Sequence, residues 1–254
     1  LFWFRKGLRL HDNPALAAAV EGTSKLYPVF CLDPWFVSSG RVGANRLHFL
    51  LQSLQDLDKS LRERDSRLIV LQGNPSVELR RVMREWNIER LAYEIDTEPY
   101  AKSRDAEINR HAAEQGIDVV TRWGHTLCDL DALLKRHPGG KPTTTYGSFL
   151  THLDKQMKAA PIEVIDAPTS LPPPGTCAPA DGCVPSAMEL GIADQSSAVI
   201  LKGGETEALT RMASHLARAD WIASFDKPST SPTSLDPFGS NTRSTTALSP
   251  YLKF

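Results

Sequence analysis

Cysteine is scarce in this sequence. Its 254 residues hold four, Cys31, Cys128, Cys177 and Cys183, with no C-x-x-C spacing among them. That excludes a disulfide-stapled scaffold and argues against a structural zinc site; scattered thiols suit a reducing, intracellular compartment. Net charge is nearly absent too: 29 Lys and Arg face 30 Asp and Glu, for −1 overall. No global positive field draws the chain to nucleic acid, although a local basic patch fits within that balance. No stretch approaches the roughly 20 apolar residues of a membrane span. Motifs of common chemistry are missing as well. There is no G-x-G-x-x-G, no G-x-x-x-x-G-K-[ST], no G-x-S-x-G elbow and no H-E-x-x-H, so dinucleotide, P-loop, serine-hydrolase and zincin readings all fail. The seven histidines show no ligand spacing, and no metal site is expected.

What is present describes a globular chain, 41% hydrophobic with a mean hydropathy of −0.28. Short apolar runs at Leu1–Phe4, Leu26–Leu32, Arg67–Leu71, Arg90–Ile95 and Asp118–Trp123 read as strands. Helical patterns lie between them. Asn13-Pro14 opens the first, with Asn as cap and Pro at the first helical position. Leu47, Leu50, Leu51, Leu54, Leu57 and Leu61 fall on one face of the second. Asn74-Pro75 opens the third, towards Trp86, and Pro99 the fourth, ending near Gln115-Gly116. Strands alternating with helices predict an α/β fold: a doubly wound, five-stranded parallel sheet of order 3-2-1-4-5. Core packing accounts for most of the five tryptophans.

The rhythm breaks after about residue 125. Tyr146–Met157 reads as one helix, and residues 161–185 hold seven of the chain's 18 prolines, which predicts a long extended connector. A helix follows at about Glu205–Ala219, with Leu209, Met212, Ala213, Leu216 and Ala217 on one face. Residues 224–249, with twelve Ser or Thr, form a polar loop ending at Ser249-Pro250, a cap and first position of a further helix. With a first strand starting at Leu1 and a last helix only begun at Phe254, the chain reads as a piece of a longer protein.

Two features leave their chemistry open. Arg5, Lys6 and Arg9, just beyond the first strand, serve either an anion or pairing with carboxylates. The run Ser244-Thr245-Thr246-Ala247-Leu248-Ser249-Pro250 is either a phosphate cradle at a helix start or a plain Ser cap after a loop.

Longer motifs add a resemblance. Phe2 through Leu16, FWFRKGLRLHDNPAL, resembles the opening strand and loop of the DNA photolyase/cryptochrome family. Pro28-Val29-Phe30-Cys31-Leu32-Asp33-Pro34 resembles its second strand. Gly203-Gly204-Glu205-Thr206-Glu207-Ala208-Leu209 is similar to the helix entering its flavin-binding part. Phe225-Asp226-Lys227-Pro228 and Ser244 through Phe254 resemble the start of the flavin site, in the wording of the animal-type cryptochrome and (6-4) photolyase branch.

The resemblance implies an α/β antenna domain over residues 1–125, a connector wrapping the surface over 126–200, and the truncated start of an all-helical FAD-binding domain over 201–254. It places the flavin diphosphate at Thr245, Thr246, Ala247, Leu248 and Ser249, with Lys227 as a further contact; Phe238 through Arg243 departs from the family pattern as an insertion beside that loop. It implies an antenna pigment of deazaflavin or folate type at the strand ends, on a rim that includes Arg5, Lys6, Cys31, Asp33 and the loop after Ile95. The implied whole protein is a photolyase, a carbon–carbon lyase that uses light and FAD to repair (6-4) photoproducts in UV-damaged DNA. The alternative is a cryptochrome photoreceptor or circadian regulator with signalling protein partners. Either is expected in nucleus or cytoplasm, not in a membrane. The catalytic residues, and the tryptophans that reduce the flavin, are expected beyond Phe254.

Overall fold

The structure is a computed structural model that describes residues 1–37, 42–175, 182–192, 201–224 and 247–252. Five strands, β1 (Phe2–Phe4), β2 (Pro28–Leu32), β3 (Ile69–Gln72), β4 (Arg90–Glu94) and β5 (Asp118–Arg122), form one sheet of order β3-β2-β1-β4-β5. Every pairing in it is parallel. The predicted sheet, its order and its direction are all observed.

Side-chain alternation along these short strands builds two cores. Phe2, Phe4, Phe30, Leu32, Val70 and Ala92 face one side with helices α1 (Pro14–Val20) and α3 (Ala44–Arg62). Trp3, Val29, Cys31, Ile69, Leu71, Leu91 and Tyr93 face the other, against α4 (Pro75–Glu85) and α5 (Pro99–Glu114). A strand buried on both faces reads as a continuous apolar run, which is why the runs were visible in the sequence. The leucine stripe of α3 is buried as its spacing required, with Leu54 and Leu61 fully inside. Each such leucine contributes about 1.5–3 kcal/mol. Asn13 caps α1 by accepting the Leu16 N–H at 2.9 Å.

Three elements differ from the sequence reading. A short helix, α2 (Pro34–Val37), follows β2, and a seven-residue helix, α6 (Leu130–Arg136), precedes α7 (Tyr146–Ala159); α6 starts on Asp129, whose carboxylate accepts the N–H groups of Asp131 and Ala132. The helix expected to reach Ala219 stops earlier, as α8 (Glu205–Leu216), and a turn at Ala217-Arg218 leads into α9 (Ala219–Ala223). No side chain of α8 is buried; its apolar face, Leu209, Met212 and Leu216, is exposed.

The described parts of the proline-rich segment, 161–175 and 182–185, hold no helix or strand, as expected, and they are stitched on. Leu171 is buried in the first core, its N–H donates to the Arg64 carbonyl, and the Gly182 carbonyl accepts the N–H of Val70 on edge strand β3. An edge strand left bare invites pairing with other chains. Among the described residues Cys31, Cys128 and Cys183 are free thiols, no helix is long and apolar enough to cross a membrane, and no cluster of metal-ligating side chains exists.

Candidate functional site

The carboxyl ends of β1 and β2, with the loop after β4, enclose a cavity of about 500 Å³. A parallel sheet offers its crevice at this end, near the point where strand order reverses. Arg5, Lys6, Cys31 and Asp33, all expected on its rim, line it, together with Asp96 and Glu98 from the loop after Ile95. The expectation that core packing accounts for most of the tryptophans fails: only Trp3 and Trp86 are buried, Trp123 and Trp221 are half-buried, and Trp35 is 57% exposed. The Trp35 ring stacks on Tyr100, centroids 5.8 Å apart and planes 18° from parallel. Asp33 holds both residues, accepting the Trp35 N–H and the Tyr100 hydroxyl at 2.9 Å each. Burial, with Asp33 beside it, pushes the Tyr100 phenol above its ordinary range. Burial drives the Cys31 thiol far up, Glu78 and Asp33 add to this, and Arg104 opposes.

The three cations after β1 are engaged with carboxylates and carbonyls. Arg5 donates to both oxygens of Asp105, at 2.7 and 2.6 Å, while its guanidinium lies over Trp3 and Tyr93. Burial, the first cause, pushes the Tyr93 phenol up to about 12. Lys6 pairs with Asp96 at 3.0 Å and Glu98 at 2.7 Å. Burial would raise the Asp96 carboxyl, but the Glu98 N–H and Lys6 outweigh it and hold Asp96 below its usual range. Arg104 joins Asp105 at 3.0 Å and lies over Trp3. Of the two readings for these cations, pairing with carboxylates is the one observed.

Arg9 does different work. It donates to the carbonyls of His11, Asp12 and Gly124, and its charge lies 3.8 Å from Glu94. Glu94 is buried at the end of β4, and its Oε1 has no hydrogen-bond partner. Its carboxyl group fits between Gly7 and Gly124, where a Cβ on either glycine would overlap it. Desolvation raises the Glu94 pKa and Asp12 adds to this, while Arg9, Arg5 and the Gly7 N–H oppose. The folded state therefore binds this proton more tightly than the unfolded chain does. The stabilisation is complete below the ordinary carboxylate range and is lost as pH rises through the folded value. Glu94→Gln is thus expected to gain stability relative to the parent chain as pH rises from about 4 towards 7. Urea unfolding at a series of pH values checks this, and a flat or opposite difference would contradict it.

Of the expected flavin contacts, Thr245, Thr246 and Lys227 lie outside the described residues. Ala247, Leu248 and Ser249 lie within them, away from the strand-end cavity. Ala247 adopts a left-handed conformation, φ 48°, and turns the chain into a single turn. The Leu248 carbonyl opens it, accepting the N–H groups of Tyr251 at 3.0 Å and Leu252 at 3.2 Å. The turn thus begins one residue earlier than the expected Ser249 cap. Ser249 is exposed on its first position, and residues 244–252 contain no carboxylate. Tyr251 anchors it: its hydroxyl donates to the Lys202 carbonyl at 2.7 Å, and its ring meets Phe49 of α3 at 5.2 Å.

The described residues thus form a doubly wound parallel α/β domain with a cavity at the carboxyl ends of its strands, followed by helical segments. Residues 1–172 match the family model described as DNA photolyase, and the chain belongs to the DNA photolyase/cryptochrome family. It is 45% identical over 257 residues to Cryptochrome-1 of Mus musculus, covering 99% of this chain and 41% of that protein. To Cryptochrome-2 of Gallus gallus it is 42% identical over 267 residues, covering 99% and 43%. The chain thus spans less than half the length of these relatives. Among solved structures, a class III photolyase from Agrobacterium tumefaciens superposes with a TM-score of 0.75 at 26% identity, over 99% of this chain and 49% of that one. An archaeal photolyase from Sulfolobus tokodaii, solved with two FAD molecules, superposes at 0.73 with 22% identity over 99% and 51%; that likeness is one of fold.

Proposed function

We propose that this chain is the N-terminal part of an animal-type cryptochrome, a flavoprotein that responds to blue light and signals to protein partners. One observation carries the reading: identity of 42–45% with Cryptochrome-1 and Cryptochrome-2 runs through 99% of the chain, across both the strand-end cavity and the terminal hydroxyl run. FAD supplies light absorption and one-electron chemistry when bound. The chain's own part is to hold its diphosphate through the run at Thr245, Thr246, Ala247, Leu248 and Ser249, with Lys227 beside it. The cavity, at about 500 Å³, is within the usual range for a small-molecule site, and its paired charges and stacked rings suit a planar antenna pigment of deazaflavin or folate type. The protein acts in nucleus or cytoplasm.

A second reading is repair of (6-4) photoproducts in UV-damaged DNA; the likeness to the Agrobacterium photolyase supports photolyase activity and names no lesion. The full-length protein separates the two. Under blue light it is expected to reduce its flavin while leaving (6-4) and cyclobutane photoproducts in a DNA duplex intact; light-dependent loss of either lesion would replace the cryptochrome reading with the repair reading. In the same protein, Thr246→Ala with Ser249→Ala is expected to weaken flavin retention measurably. Full occupancy in that variant would leave the run as a loop and cap only.

A further inference from the structure

We propose that Glu205 is a positioning residue for the flavin diphosphate corner, pinning that corner to the loop between β1 and α1. Its two carboxylate oxygens accept two consecutive backbone N–H groups from that loop, Leu10 to Oε2 and His11 to Oε1, each at 2.9 Å. These partners lie almost 200 positions away in sequence. A carboxylate in the first turn of a helix ordinarily serves its own free N–H groups; here both oxygens are turned outward to another segment.

The pin is one of the polar contacts that hold α8 against the rest of the chain. None of the α8 side chains is buried, so apolar packing within the described residues does not set its position. Polar contacts do so. The Gly203 N–H donates to the Gln52 side chain at 2.8 Å, and Asp56 accepts the Thr206 N–H at 2.9 Å. Gly203 and Gly204 let the chain approach α3 closely: a Cβ on Gly203 would overlap the Phe49 carbonyl, and one on Gly204 would sit 2.7 Å from Asp56. Gly204 also has φ 118°, which disfavours any other residue.

The same corner carries the anion turn. Lys202, just before the glycine pair, accepts the Tyr251 hydroxyl at 2.7 Å, and Tyr251 closes the turn opened by Leu248. A path of direct contacts therefore runs from Leu10 and His11 through Glu205, the Lys202–Gly204 corner and Tyr251 to Ser249. The loop at its far end is itself fixed. Asp12 donates its N–H to the Ile165 carbonyl at 2.7 Å, Asn13 donates to the Arg9 carbonyl, and Arg9 donates to Gly124. Glu205 thus ties the start of α8 to a loop that is itself bonded to Ile165 and Gly124.

This inference rests on the flavin reading above, and its test separates the two. The full-length protein is compared with Glu205→Gln and Glu205→Asp by hydrogen exchange at the Leu10 and His11 amides and by the rate of flavin dissociation after dilution. Gln keeps the shape of Glu but offers one acceptor and a donor group that opposes the second N–H, so both amides are expected to exchange about tenfold faster and flavin to leave several-fold faster. Asp keeps both acceptors and is expected to recover part of each effect. Tyr251→Phe cuts the path at its other end, and should speed flavin release while leaving the two amides protected. Unchanged exchange in Glu205→Gln would overturn the pin. Faster exchange with unchanged flavin release would overturn its positioning role. A parent protein that binds no flavin would remove the flavin reading and this role together, with the exchange data still judging the pin.

Discussion

Gly124→Ala is expected to destabilise the α/β domain by about 2–3 kcal/mol, the cost of forcing a methyl group into a filled core. Backbone conformation is not the reason. Gly124 is not among the glycines with positive φ, so alanine is acceptable there on dihedral grounds. Space is the reason. The new Cβ would overlap the Glu94 carboxylate, with its carboxyl carbon at 3.0 Å, and would meet Pro14 Cδ at 3.2 Å. Glu94 has nowhere to retreat, because Gly7 closes the opposite side in the same way. Moving the carboxylate would also separate it from Arg9, leaving a buried charge with less compensation. The test is a double-mutant cycle by urea unfolding. Glu94→Ala empties the space, and Arg9 keeps its carbonyl acceptors at His11, Asp12 and Gly124. In that background Gly124→Ala should cost less than about 1 kcal/mol, a coupling within the range for residues in contact. An equal cost in both backgrounds would mean the glycine is required for some other reason.

This carboxylate between two glycines was not legible in the sequence. Glu94 ends a strand, Gly7 and Gly124 leave two other strands, and only the order β1-β4-β5 brings the three together. The sheet itself could be read, because β1 to β4 are mostly buried and each intervening helix carries either a Pro start or an apolar stripe. Leu47 through Leu61 and Asn13-Pro14 are local signals, and tertiary contacts reinforced them. The cavity rim was legible for a related reason: the carboxyl ends of parallel strands are fixed once strand order is known, which placed Arg5, Lys6, Cys31 and Asp33 together. Trp35 and Tyr100 were missed, since no local pattern shows that two aromatic residues 65 positions apart will stack in solvent. Glu205 lay inside a motif noticed for its resemblance, yet its partners at Leu10 and His11 are backbone groups, which have no side-chain signature. The early stop of α8 was missed because its apolar face continues to Ala217, while the chain turns at Arg218 for reasons that spacing does not record.

Arg5 offers the sharpest test of what the charges around the cavity do. The sequence allowed an anion or a carboxylate as its partner, and the structure shows Asp105. The two side chains are 7% and 13% exposed, so this pair is close to buried, and removing one member of such a pair costs about 3–5 kcal/mol because the other charge is stranded. Arg104 softens the loss by donating to Asp105 Oδ1, but Oδ2 would keep no comparable donor, so the lower end of that range applies. Arg5→Met is therefore expected to lose about 3 kcal/mol, read by urea unfolding of the protein. Methionine also preserves much of the contact with Trp3 and Tyr93 that the guanidinium now makes. Asp105→Leu with Arg104→Met in the same chain should restore most of the stability, since Arg104 also pairs with Asp105 and a desolvated ionic cluster replaced throughout by apolar groups is often neutral. An arginine held ready for an anionic ligand would behave in the opposite way: its removal would leave stability unchanged or improved, and only ligand affinity would fall. An Arg5→Met protein as stable as its parent would return Arg5 to the list of ligand-binding residues.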